Sequence, residues 1–355
     1  MLSAGRRTRL TSRTRVATAL AHQQPDRPPV FATYVPEVER RLRDERAIHE
    51  GDLGVALGND LVKACVGLET SFNGEPEPEY EDAWSIRWRY VRNAFGKFTE
   101  ISVHPLAGDR ATLDRFEIPD PEEDTQYDSF RRAKAQYGGE RWIIGSCQIS
   151  VFEAAWYLRG FDQLFVDMMT ARDYVHALMD KVMRFPLVAG RKFAEMGADM
   201  VWFGDDVSMQ RGMMMSVAMW REFLRPRYER LFAEVKRVNP AVKTAYHCCG
   251  DCAAILDDLI DIGLDVLNPV QPLAIDPFAI KKRYGARLAL FGGLCVQRVL
   301  PRGTPDEVRQ SVAHLKSECG RGGGYILAPA HHIQADTPSA NIEAFYDAAL
   351  AEPAG

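Results

Sequence analysis

The chain of 355 residues has no apolar run near the roughly 18 residues that a membrane-crossing helix needs. It has no surplus of cations either. Asp and Glu number 49 against 44 Lys and Arg, a net charge of −5; with no excess positive charge to set against phosphates, nucleic acid is not expected as the main partner. The first fifteen residues are basic (Arg6, Arg7, Arg9, Arg13, Arg15) but lack the apolar segment of a secretory signal. A cytoplasmic protein is therefore expected. No glycine-rich phosphate loop follows any apolar run. A disulfide framework is missing as well: the seven cysteines are odd in number and three crowd into 248–252, so they read as reduced thiols or metal ligands.

What is present is the composition of a globular protein, 46% hydrophobic and 26% charged, with six Trp to fill a core. The length admits two average domains or one large α/β barrel. Residues 1–10 carry no periodic apolar pattern and read as a flexible tail. A helix is expected over Thr11–His22, stopped by Gln24-Pro25-Asp26-Arg27-Pro28-Pro29, and a short strand over Val30–Tyr34. Residues 70–140 are rich in turn formers and charge; they read as an insertion, with hairpins around Ala83–Thr99, inside a single domain of 11–355.

From residue 141 apolar runs alternate with helical stretches. Helices are expected at Val151–Met169, Ala171–Met196, Ser216–Val238 and Asp251–Ile262. Thr304-Pro305 with Glu307 predicts a capped helix start, and Val308, Val312 and Leu315 supply its buried face. Thr337-Pro338 repeats that start for the last helix. Strand regions at Val30, Leu61, Trp142, Met200, Lys243, Asp265, Leu288 and Tyr325 number eight. Repeated strand–helix alternation implies parallel strands with helical crossovers, and this count favours a closed (β/α)8 TIM-type barrel with its active site at the strands' C-terminal ends. An open doubly wound sheet is the alternative.

Polar residues occupy those strand ends. In Tyr246-His247-Cys248-Cys249-Gly250-Asp251, His247 and Cys249 are two apart, so both side chains can face one ion. Cys249 would precede a helix, where the N-terminal dipole favours thiolate. The bland reading is a buried cysteine beside a hydrogen-bonded histidine. Cys249 and Cys252 form a CxxC, although Cys252 reads more simply as core. His331 and His332 end the run Tyr325-Ile326-Leu327-Ala328-Pro329-Ala330 and are candidates for a third ligand; His331 is taken as the ligand and His332 as a substrate contact. Three N/S ligands with one open position would make a catalytic zinc site. Asp205 and Asp206, in Trp202-Phe203-Gly204-Asp205-Asp206, are candidate catalytic carboxylates, or a turn's solvated acids. Trp202, Gln210, Asn268 and Gln271 are candidate substrate contacts. Met213-Met214-Met215 reads as packing or a pliable pocket wall.

Taken together, these segments resemble the uroporphyrinogen decarboxylase-like superfamily, and within it the zinc- and corrinoid-dependent methyltransferases. The resemblance runs from Thr11-Ser12-Arg13-Thr14-Arg15-Val16 and Pro25-Asp26-Arg27 through Gly204-Asp205-Asp206, His247-Cys248-Cys249-Gly250, Asn268-Pro269-Val270-Gln271 and Gly292-Gly293 to Gly323-Gly324-Tyr325-Ile326-Leu327-Ala328-Pro329. It implies a (β/α)8 barrel that moves a methyl group between a small substrate, or an acceptor thiol, and the cobalt of a corrinoid. The methyltransferases have a His-x-Cys pair and a later Cys as zinc ligands; His247 and Cys249 match the pair, and His331 stands where the third would fall. Gly292-Gly293 continues as Leu294-Cys295-Val296-Gln297 rather than in the more usual acidic form.

With no Asp-x-His-x-x-Gly segment in the chain, the corrinoid (cobalamin) is expected on a separate partner protein. Self-association is left open. True porphyrinogen decarboxylases need no metal and have an Arg-Gln-Ala-Gly-Arg segment near the N-terminus. Here that region reads Phe31-Ala32-Thr33-Tyr34-Val35-Pro36-Glu37, without the counter-charges a polycarboxylate needs. Decarboxylation of a tetrapyrrole is the second reading, and a non-catalytic barrel that binds a ligand or a corrinoid protein the third.

Overall fold

A computed structural model describes residues 10–68, 79–93 and 96–351. The expected tail lies, apart from Leu10, outside the described residues, as do positions 70–78 of the expected insertion. Seven parallel strands share one sheet: β1 (Leu61–Cys65), β2 (Trp142–Cys147), β3 (Met200–Gly204), β4 (Lys243–His247), β5 (Val266–Asn268), β6 (Ala289–Leu294) and β7 (Tyr325–Pro329). Their order in the sheet is their order in the chain. Parallel neighbours cannot be joined by tight turns, so the intervening chain crosses back as helix. β3, β6 and β7 are buried along their whole length, which is why they read as continuous apolar runs rather than alternating ones.

By its contacts the chain divides into two compact units. One comprises Met1–Val62, Ala133–Ile143 and Val266–Gly355, the other Lys63–Arg132 and Ile144–Asp265. In the first, β5, β6 and β7 pair in parallel. The strand expected over Val30–Tyr34 is reduced to two isolated bridges, Val30 to Leu327 and Tyr34 to Ile333. Pro28 and Pro29 bring no N–H to a ladder. The Asn59 side chain takes the place of a partner strand, accepting from Ala32 N–H (3.0 Å) and donating to Ala32 O (2.9 Å). Val30 O accepts from Asp60 N–H, and Asp60 O from Trp142 N–H; the expected eighth position is thus filled, but by hydrogen bonds at single residues.

Beside it lies a buried ion cluster. Asp60, 0% exposed, accepts from Arg15 Nη1 (2.7 Å), Arg27 Nη1 (2.6 Å) and Val30 N–H (2.8 Å). Arg15 also meets Asp26 (2.7 Å). Such a cluster is tolerated because almost every charge has a partner, and it fastens the helix Ser12–Leu20 to the start of β1.

In the second unit β2, β3 and β4 pair in parallel, with Gly204 opposite His247. Glu79–Glu81, Arg87–Asn93 and Gly96–Val103 form a separate antiparallel sheet. Several helices are shorter than expected. Val151–Met169 is two helices, Phe152–Arg159 and Phe161–Thr170, divided at Gly160 (φ +94°). Ser216–Val238 divides at Leu224, ahead of Arg225-Pro226. The helix starting at Thr304 has the expected capping box and buried face, whereas the last begins at Ser339 with no side-chain cap.

Candidate functional site

The ends of β3 and β4 set the site. Gly204 is required there, because a Cβ would sit 2.7 Å from the His247 Cβ and 2.8 Å from its carbonyl oxygen. Without that side chain the strand ends draw together, and Asp205 N–H donates to His247 O at 3.1 Å. Trp202, diagonal to His247 across the ladder, stacks on its imidazole with ring centroids 6.0 Å apart and planes at 26°. Trp202 is 3% and His247 5% exposed, so the indole fixes the ring rather than meeting solvent.

His247 Nε2 and Cys249 Sγ lie 3.5 Å apart. Asp206 Oδ1 accepts from Cys249 N–H at 2.7 Å and is 3.7 Å from His247 Nε2. His247, Cys249 and His331 each offer one ligand atom, and these atoms all lie within 4.8 Å of one another. Two imidazoles and a thiol form the borderline-to-soft N/S set that zinc takes, and three protein ligands leave a coordination position for a reactant. The residues therefore fit the metal. His331 and His332 follow β7, their rings edge to face at 5.3 Å, and both are half-buried.

The expected thiolate at Cys249 is corrected by what surrounds it. No α-helix begins there: a 3-10 turn at Ala253–Ile255 comes first and the helix spans only Leu256–Asp261. Burial, then the negative charges of Asp206 and Glu153, push the Cys249 thiol well above its ordinary value. A bound dication would reverse this, since a coordinating thiol gives up its proton. The reading of Cys252 as a core residue holds. Cys252 is buried against Cys248, whose thiol is pushed up first by burial and then by a hydrogen bond with Cys252.

The two carboxylates have different surroundings. Asp205 is 0% exposed and accepts from the N–H groups of Val151, Phe152 and Glu153 and from the Tyr228 hydroxyl at 2.5 Å. It caps the helix Phe152–Arg159 from outside, so its geometry is that of an anchor. Burial pushes it up to about 6, against the pull of Tyr228 and those N–H groups. Asp206 is the half-exposed one of the pair and the one beside His247 and Cys249. Glu153, which sequence reasoning missed, accepts from Asp206 N–H at 3.1 Å. Burial and then the charges of Asp206 and Asp205 push it well above the usual carboxylate range. Nothing in Val151-Phe152-Glu153 signals this, because the position depends on Asp205 holding that helix start.

The remaining candidates divide. Asn268 is 6% exposed and its amide donates to Phe291 O at 3.1 Å, tying β5 to β6. Gln271 O receives Ala274 and Ile275 N–H in a turn. Gln210 is exposed between Ser208–Met209 and Gly212–Met213, a small hairpin. Ser208 joins that hairpin to the ligand loop, its hydroxyl donating to Cys249 O at 2.7 Å.

A parallel α/β sheet in chain order, with imidazole and thiol side chains beyond its strand ends, defines a class of barrel protein rather than one activity. Within that class the chain belongs to the uroporphyrinogen decarboxylase (URO-D) family, whose model matches residues 95–351. A solved "methyltransferase from Methanosarcina mazei" has the same fold: TM-score 0.72 and 21% identity, covering 96% of this chain and 98% of that one. Among curated relatives, the methylcobamide:CoM methyltransferase MtaA of Methanosarcina barkeri is 33% identical over 150 residues, 42% of this chain and 41% of the relative. A uroporphyrinogen decarboxylase of Xanthomonas euvesicatoria is 25% identical over 332 residues, 87% of this chain and 88% of that one. The chain spans about half the length of the curated methyltransferases it matches, 51% for the methylated-thiol–coenzyme M methyltransferase of Methanosarcina mazei. No helix among the described residues is long and apolar enough to cross a membrane.

Proposed function

We propose that this protein is a zinc-dependent methyltransferase that moves a methyl group between a small methylated substrate, or an acceptor thiol, and a corrinoid carried by a separate protein. The observation that carries the reading is the convergence of His247, Cys249 and His331 within 4.8 Å. The similarity to a methylcobamide:CoM methyltransferase supports the corrinoid. Zinc, when bound, would polarise a thiol or the heteroatom bearing the methyl group. The chain's own residues do the rest. Trp202 holds the His247 ring, Asp206 holds the Cys249 backbone, and Glu153 holds the Asp206 N–H.

The metal is tested first. Purified protein should contain about one zinc per chain, and Cys249→Ser or His331→Ala should fall well below that while remaining folded. Methyl transfer is then followed by the visible spectrum of methylcobalamin mixed with thiols. Zinc far below one per chain in the unmodified protein would overturn the metal, and an unchanged cobalt spectrum with every thiol and methylated donor would overturn the transfer.

A second reading, decarboxylation of a tetrapyrrole, is favoured by the long match to a decarboxylase. It requires porphyrinogen turnover that chelators leave unchanged. The half-exposed Asp206 and the neighbouring Glu153 would then be its candidate acids.

A further inference from the structure

We propose that the cavity lined by Trp84, Phe185 and Asp82 is a binding site for a small organic ammonium ion. It is built from none of the residues of the candidate metal site, and its occupancy does not depend on a bound metal.

The cavity measures about 440 Å³, a volume that encloses small ligands in other proteins. All of its lining residues belong to the second unit. Its wall is aromatic: Tyr80, with Trp84 and Phe185, whose ring centroids are 5.4 Å apart. Phe185 comes from the helix Arg172–Glu195 and approaches closely because Gly67 has no side chain; a Cβ there would sit 2.8 Å from the Phe185 ring. Two acids, Glu81 and Asp82, share the same lining.

Asp82 gives the cavity its sign. It is half-buried, and among the described residues its partners are uncharged N–H groups. Oδ1 accepts from Trp84 N–H (2.8 Å) and Ile86 N–H (3.0 Å), and Oδ2 from Trp88 Nε1 (2.8 Å). Such donors hold a carboxylate in place without cancelling its charge. Burial pushes the Asp82 carboxyl above its ordinary value, and the charge of Glu81 adds to the rise; the three hydrogen bonds do not outweigh them. Glu81 itself meets Arg87 only at 3.7 Å, with both side chains exposed. The buried Asp60, by contrast, is given Arg15 and Arg27. A cation entering the cavity would supply the charge that Asp82 lacks.

The walls decide which cation. Calcium and magnesium take about six or more oxygens. Among the described residues, the one group of three or more His, Cys, Asp or Glu side chains placed to hold a metal is His247, Cys249 and His331. Indole and phenol faces attract instead a cation that is weakly hydrated and clothed in carbon. An ammonium bearing methyl or methylene groups satisfies the rings and the carboxylate together.

The experiment uses the full chain, purified with zinc and again after chelator treatment. Titration calorimetry compares choline, ethanolamine and 3,3-dimethyl-1-butanol, the uncharged carbon isostere of choline. Choline should bind about tenfold or more tightly than its isostere, with and without metal. Ethanolamine offers N–H groups where choline has methyls, and a preference between the two identifies the kind of ammonium bound. Asp82→Asn should weaken both cations about tenfold, the scale of a lost charge-assisted contact, and leave the isostere within about twofold. Should Asp82→Asn not fold, Trp84→Phe carries the comparison, lowering the choline-to-isostere ratio about threefold or more. Choline that fails to bind, that binds no better than its isostere, or that ignores both substitutions overturns the proposal. Choline binding that is lost with the metal overturns it as well. Protein that holds no zinc yet binds choline through Asp82 leaves the cavity standing while the metal reading fails.

Discussion

Replacing Asp205 with Ala distinguishes an anchor from a reacting group. At pH 8, above the value near 6 to which burial brings it, the carboxylate is charged and accepts from three backbone N–H groups and Tyr228. The substitution leaves those donors buried at the head of Phe152–Arg159. Charge-assisted hydrogen bonds contribute about 1.5–3 kcal/mol each but do not add simply, and removing the acceptor from a buried charged network costs on the order of 3–5 kcal/mol. With a urea slope of roughly 2–3 kcal/mol/M, the unfolding midpoint should fall by about 1–2 M. The assay is urea unfolding followed by tryptophan fluorescence, with zinc content measured on the folded fraction. A midpoint within about 0.3 M of the parent, together with abolished turnover, would refute the anchoring argument and return Asp205 to chemistry.

Gly250→Ala addresses the ligand loop. At φ +92° an L side chain is strained, and the added Cβ would stand 2.6 Å from Met209 O, a backbone atom that cannot swing aside. A loss of about 2 kcal/mol in thermal stability is expected, from left-handed strain of about 1–2 kcal/mol plus the contact, with weaker zinc retention against a chelator; parent-like values in both would count against the close approach. Asp265 gives a pH dependence. Burial pushes its carboxyl up, but hydrogen bonds from Lys236 (2.6 Å) and Thr244 N–H, with the nearby charges of Lys236 and Lys243, outweigh that and leave it below the usual range. A depressed folded value contributes stability that is complete above the unfolded value, about 3.9, and is lost as pH falls through the lower folded one. Lys236→Met should therefore flatten the acid limb of a stability–pH curve, and an unchanged limb would refute the pairing.

Much of the architecture was legible because its signals are local. β3, β6 and β7 show as apolar runs because both faces are buried, and Thr304-Pro305-Asp306-Glu307 shows as a helix start because a capping box lies within four residues. His247 and Cys249 could be paired from their spacing, although β4 ends at His247 and it is the loop beyond it that brings Cys249 Sγ within 3.5 Å of His247 Nε2. Local signals failed where a distant partner decides the outcome. Val30–Tyr34 has the composition of a strand, yet Asn59 supplies side-chain hydrogen bonds where a ladder was expected. Cys249 was expected to gain from a helix dipole that, at Ala253–Ile255, never forms in α geometry.

The sequence by itself determined which chemistries were available: imidazole and thiol beyond strand ends, paired acids after β3, no glycine-rich phosphate loop and no apolar run of membrane-crossing length. Tertiary structure alone decided their roles. It placed Asp205 against the N-terminus of a helix some fifty residues earlier in the chain, buried Glu153 beside Asp206 so that its carboxyl is pushed well above the usual range, and set Lys63 over the Trp202 ring. The reason is physical: a side chain's charge state and partners depend on burial and on groups remote in sequence, and only the fold brings those groups within a few ångströms.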